Sequence, residues 1–72
     1  MIEWTGKPGW RNKRVAIDHA VQSDLYFSLC HAQSGWEEEQ YHAWVYCKRG
    51  LLHIGGGHSI EEVRLSAERW SG

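Results

Sequence analysis

Residues 59–70 read Ser-Ile-Glu-Glu-Val-Arg-Leu-Ser-Ala-Glu-Arg-Trp, and this stretch decides the fold. Ile60, Val63, Ala67 and Trp70 recur at helical spacing, and at about 100° per residue they form one narrow apolar stripe. Ser59 supplies a capping oxygen, and Glu62 stands three residues on, the capping-box spacing. Gly55, Gly56 and Gly57 precede the helix and are expected to make a sharp reversal into it, while Gly72 follows it. A single amphipathic helix with one stripe has to lie on something apolar, so the rest of the chain must supply a surface.

That surface is a sheet. Residues 14–21 alternate, with Val15, Ile17, His19 and Val21 expected on one face and Ala16, Asp18 and Ala20 on the other. Residues 25–32 alternate likewise, placing Leu25, Phe27, Leu29 and His31 opposite Tyr26, Ser28, Cys30 and Ala32. A three-residue loop of Gln22, Ser23 and Asp24 would set Ile17 across from Leu29 and Val21 across from Leu25, keeping apolar residues together. The third strand spans residues 41–48, with Tyr41, Ala43, Val45 and Cys47 toward the helix and His42, Trp44, Tyr46 and Lys48 away from it. Lys48, Arg49 and Gly50 read as a tight turn with glycine in the left-handed position. A short fourth strand, residues 51–54, buries either Leu52 and Ile54 or Leu51 and His53.

The expected architecture is α+β: one domain over residues 1–72, a four-stranded antiparallel meander (14–54) and a C-terminal helix (59–70), ββββα. An irregular arm, residues 1–13, carries Trp4, Trp10, Pro8 and two glycines, a density of helix breakers that excludes a regular element. So short a chain builds a marginal core, and five tryptophans, each burying about 150–250 Å² when packed, are the compensation. The net charge of −1 argues against bulk attraction to nucleic acid or membrane. No membrane span or signal peptide is read, so a cytoplasmic protein is expected, with Cys30 and Cys47 as reduced, partly buried thiols.

Candidate functional residues fall in four places. Tyr26, Trp44 and Tyr46 are expected on the sheet face away from the helix, where the arm covers them or a partner does. With Lys7, Arg11, Lys13 and Arg14 of the arm, that face is a candidate platform for single-stranded nucleic acid. Trp36 beside Glu37, Glu38 and Glu39 has the composition of a protein-binding hot spot aimed at a basic surface. Leu65 falls among the charged residues of the helix, an apolar residue on its wet side. His42 is expected opposite Cys30, close enough for a thiolate–imidazole pair, but neither an orienting third group nor an oxyanion hole is visible. The five histidines show no zinc-finger spacing, and the glycine run lacks the Gly-Lys-Ser/Thr of a phosphate loop. No enzyme activity, metal or cofactor is therefore expected.

The segment Gly57-His58-Ser59-Ile60-Glu61-Glu62-Val63 resembles the Gly-x-Ser/Thr-Leu-Glu-Glu-Ala helix entry of HicB-type antitoxins, with Val63 in place of the alanine. That likeness implies a toxin-neutralising role. In build the chain resembles the small accessory proteins of phages, including anti-CRISPR and other anti-defence inhibitors, which implies a non-enzymatic protein that blocks a larger host protein. The leading expectation is thus a protein-binding module, monomeric or homodimeric, with single-stranded nucleic-acid binding and toxin neutralisation as alternatives.

Overall fold

The computed structural model describes residues 2–70; Met1, at the start of the arm, and Gly72, beyond the helix, lie outside the described residues, as does Ser71. Strands β1 (Ala16–Gln22), β2 (Leu25–His31), β3 (Tyr41–Cys47) and β4 (Gly50–Gly57) form one antiparallel sheet in the order β1-β2-β3-β4, followed by helix α1 (Ile60–Arg69). This is the ββββα meander that the sequence implies. No helix among the described residues is long and apolar enough to cross a membrane.

The helix behaves as its stripe requires. Val63 and Ala67 are fully buried, and Ile60 and Trp70 pack against the same core. Ser59 Oγ accepts the Glu62 amide at 3.3 Å, while the Glu62 carboxylate accepts from the His58 amide at 2.7 Å, one residue further back than the usual box. Beneath the helix, Leu29 pairs with Ala43 and Phe27 with Val45, all four buried.

The first strand departs from expectation. Its turn has two residues, Ser23 and Asp24, not three: Gln22 pairs with Leu25, Val21 with Tyr26 and Ala20 with Phe27. Ser23 takes a left-handed φ of 59°, which a two-residue turn needs and which a glycine would have advertised. The side chains of residues 18–22 are consequently turned over, leaving Val21 exposed and Ala20 and Asp18 buried. Val15 and Ile17 do not enter the core; a bulge between Ala16 and Asp18 takes up Ile17. The physical reason lies in what covers this strand. The helix packs on β2, β3 and β4 rather than on β1, toward which it extends only the Arg64 side chain among the described residues. Ile2 and Trp4 of the arm fill that space, Trp4 meeting Phe27 edge-on at 6.4 Å, and small Ala20 leaves room for them.

The burial of Asp18 is made tolerable by donors from three directions. Its Oδ1 accepts the Gly6 and His19 amides, each at 2.8 Å, and the Thr5 hydroxyl at 3.3 Å. Arg64 of the helix approaches Oδ2 at 3.4 Å. Gly6 adopts φ 73°, the turn that aims its amide inward. The Thr5 amide also donates to the His19 carbonyl, so the arm closes the outer edge of β1.

The fourth strand is longer than the expected four residues, and the glycines belong to it. Ala43 pairs with Gly55, His42 with Gly56 and Tyr41 with Gly57, so the run is strand rather than reversal. A bulge at Ile54 selects the register in which Leu52 and Ile54 face the core. Glycine is required by close approach: a Cβ on Gly55 would lie 2.4 Å from the Ser66 Cβ. The Lys48–Arg49 turn is as expected, with Gly50 at φ 102°.

Candidate functional site

The sheet face away from the helix divides into two halves that share Leu51. In the first, Trp10 of the arm packs edge-on against Tyr26 at 5.5 Å, and His19 stacks on the same ring at 5.6 Å. Tyr46 meets Tyr26 at 5.7 Å, and the Arg11 guanidinium sits 4.2 Å from the Trp10 ring centre and 4.3 Å from that of Tyr46. The two tryptophans of the arm are therefore split. Trp4 serves the helix side, where its indole N–H donates to Glu68 at 3.1 Å, and Trp10 covers part of the opposite face. Tyr26 is thus a covered ring and no open platform. Together with Trp10, Arg11 and Leu51, the two tyrosines line a recess of about 440 Å³.

The second half is a larger recess of about 570 Å³, walled by Trp44, His53, His42, Glu37 and Cys30 among others. Here the sequence missed a chain of polar contacts. Glu37 Oε1 lies 3.0 Å from His42 Nε2, and His42 Nδ1 lies 2.9 Å from His53 Nε2. A carboxylate can only accept, so His42 Nε2 carries the proton it donates, and in neutral rings His53 Nε2–H must donate to His42 Nδ1. Trp44 closes the group edge-on against His53 at 4.7 Å. The signal was present in the alternation of the fourth strand, which puts His53 across from Trp44 once its register is known.

The Cys30–His42 pairing is found in the register, but no thiolate–imidazole contact forms. Both His42 nitrogens are engaged elsewhere, and Cys30 Sγ, 2% exposed as a residue, lies 3.3 Å from Ser28 Oγ. Cys30 and Cys47 are free thiols. Among the described residues no three His, Cys, Asp or Glu side chains converge as a metal would require.

The loop between β2 and β3 carries Trp36, which is 96% exposed. The loop itself is fastened. Its ends are joined by Ala32 N–H to Gln40 carbonyl at 2.8 Å, the Trp36 amide donates to Ser34 Oγ at 3.1 Å, and the Gln40 side chain donates to the Glu37 carbonyl. Glu37 is tied to His42, whereas Glu38 and Glu39 make no ion pair among the described residues. All three glutamates line a shallow recess of about 430 Å³ with His42 and His58. Leu65 is 48% exposed on the helix, across the sheet from the aromatic face, so it joins neither group. Lys7, Lys13 and Arg14 are exposed.

No protein-family model matches the chain, and no curated protein or solved structure is significantly similar to it.

Proposed function

We propose that the protein is a protein-binding module whose anchor is Trp36. The observation that carries this reading is a tryptophan left 96% exposed on a loop held by its own hydrogen bonds. An exposed indole is costly in water and valuable in an interface, where tryptophan is one of the residues enriched at hot spots. Because the loop is ordered before binding, less conformational entropy is lost when a partner closes on it. Glu38 and Glu39 beside it favour a partner with a basic surface. Both resemblances drawn from the sequence are to proteins that act on another protein, neutralising a toxin in one case and blocking a host defence protein in the other. The reading is the coarse one they share, and host proteins of a phage or mobile element are the first partners to try.

The test is crosslinked capture from host lysate with the wild-type protein, Trp36→Ala, and Trp36→Ala combined with Glu38→Lys. A hot-spot tryptophan contributes about 2 kcal/mol or more, about a thirtyfold loss of affinity on truncation. The expected result is a captured protein that disappears with Trp36→Ala while thermal unfolding is unchanged. Equal recovery by the double variant would overturn the reading.

A further inference from the structure

The basic arm and the aromatic face meet at one side chain. Arg11 is held between Trp10 and Tyr46 at 4.2 and 4.3 Å, and its Nε is sealed from solvent with no acceptor. No hydrogen bond or ion pair joins the guanidinium to any described residue, and Arg11 lines the smaller recess. A guanidinium stacked on both sides has lost most of its rotational freedom yet keeps its end-on pair of donors. That is the preorganised form of a fork for phosphate or carboxylate.

We propose that Arg11 is the phosphate-reading centre of a single-stranded nucleic-acid site on this face, one that does not use Trp36. Three features select this ligand over an acidic peptide. First, the donor sits among flat rings: Trp10 is 63% exposed, and Trp44 walls the adjoining recess. A single strand supplies a phosphate and an unstacked base with every nucleotide, whereas a duplex hides the base faces. Second, the recesses of about 440 and 570 Å³ share Leu51, so a strand anchored at Arg11 continues past Trp44 and His53. Third, the segment that carries Arg11 is basic despite the net −1 of the chain. Lys7, Lys13 and Arg14 are exposed without an ion pair among the described residues, and Asp24, the acidic group in the smaller recess, faces Lys48 at 3.8 Å. Glu37, at the far end of the larger recess, is occupied by His42 at 3.0 Å. The arrangement differs from the sequence expectation in one respect: Tyr26 is a support for Trp10, and the stacking surfaces are Trp10 and Trp44.

Fluorescence anisotropy with a labelled oligothymidylate tests the site, with polyglutamate and an abasic oligonucleotide as competitors. Affinity for the oligothymidylate is expected to fall steeply between about 50 and 200 mM salt. Arg11→Lys keeps the charge but loses the fork, and is expected to weaken binding about tenfold. Lys13→Gln is expected to reduce the salt slope by about 0.7, one single-strand phosphate contact. The abasic strand should compete poorly, since it offers phosphate without rings, and polyglutamate should compete least. Absence of binding at the low-salt end, an Arg11→Lys variant equal to wild type, or polyglutamate competing as well as the oligonucleotide would each overturn the proposal. Should Arg11→Lys unfold, the wild-type protein decides. Its Arg11 Nε–H resonance is expected to shift on titration with inorganic phosphate, and a resonance that does not move refutes the site.

Discussion

Replacing Asp18 tests the least expected feature of the core, a carboxylate 3% exposed beneath the arm. Asp18→Ala removes the acceptor of two backbone amides at 2.8 Å, those of Gly6 and His19. Each buried donor left without a partner costs about 1–3 kcal/mol. The Arg64 contact adds little, because that side chain is 35% exposed and the separation is 3.4 Å, so solvent screening holds it to about 0–1 kcal/mol. Gly6 lies near the surface, and its amide recovers part of its loss from water. The sum is a destabilisation of about 2–4 kcal/mol. At about 0.05–0.15 kcal/mol per residue the whole domain is worth roughly 4–11 kcal/mol, so a large share is at stake. At about 4–8 °C per kcal/mol, Tm should fall by about 10–30 °C.

Asp18→Asn separates the hydrogen bonds from the charge. The amide oxygen still accepts from Gly6 and His19, so the expected loss is about 1–2 kcal/mol, set by weaker acceptance and an amine turned toward Arg64. Urea unfolding followed by tryptophan fluorescence gives both values, with the slope checking that the unfolded state is unchanged. A double-mutant cycle with Arg64→Met should return a coupling of no more than about 1 kcal/mol. An Asp18→Ala variant within about 0.5 kcal/mol of wild type would refute the buried acceptor, as would an Asp18→Asn variant equally damaged.

The other predictions concern packing and the loop. Gly55→Ala brings a Cβ to 2.4 Å from the Ser66 Cβ and should cost about 1–3 kcal/mol by overpacking, partly relieved by Ser66→Gly in a urea series. Val21→Ser should change stability by less than about 0.5 kcal/mol because Val21 is 64% exposed, whereas Ala20→Leu, at 0% exposure, should cost about 1–3 kcal/mol. The opposite order would restore the three-residue turn. Trp36→Ala should leave the urea midpoint unchanged while removing the most red-shifted part of the emission, since Trp36 is 96% exposed.

The sequence carried the helix, the strand order and the inner faces of the second and third strands, because each follows from periodicity alone. Leu29 against Ala43 and Phe27 against Val45 needed nothing else. The face of the first strand is not legible in the sequence, for a specific reason. Its residues alternate, and periodicity alone favours the register that buries the larger apolar set over the one that buries Ala20 and Asp18. What reversed it was the arm, which has no periodicity to read: Trp4 needed the volume above Ala20, and the Gly6 amide needed an acceptor. The glycine run misled in a similar way. Its lack of side chains suggested a turn, but Gly55 is small because Ser66 of the helix lies against it. Glu37 lies five residues before His42, but His53 is eleven residues beyond it, and the register of the last hairpin is what brings His53 to His42.

The arm therefore determines more than its irregular sequence suggests. Trp4 and Trp10 lie on opposite faces of the sheet, and Thr5 pairs with His19 between them, so the chain wraps the edge of β1 as a clasp. Two things depend on that clasp. One is the core, because the Asp18 acceptor is satisfied by the Gly6 amide. The other is the position of Arg11, which hangs from the same segment and is fixed only while Trp10 rests on Tyr26. Damage at Asp18 should then loosen the arm before it unfolds the sheet, since β2, β3 and β4 keep the helix as their cover. Phosphate affinity at Arg11 and protection of the Thr5 amide from hydrogen exchange should fall together in Asp18→Asn, while protection along β2 and β3 persists. The Trp36 loop is fastened by Ser34 at the Trp36 amide and by Gln40 and His42 at Glu37, and among the described residues no hydrogen bond ties it to the arm. A partner captured through Trp36 should therefore be retained by Asp18→Asn, which makes this one variant a means of separating the two surfaces.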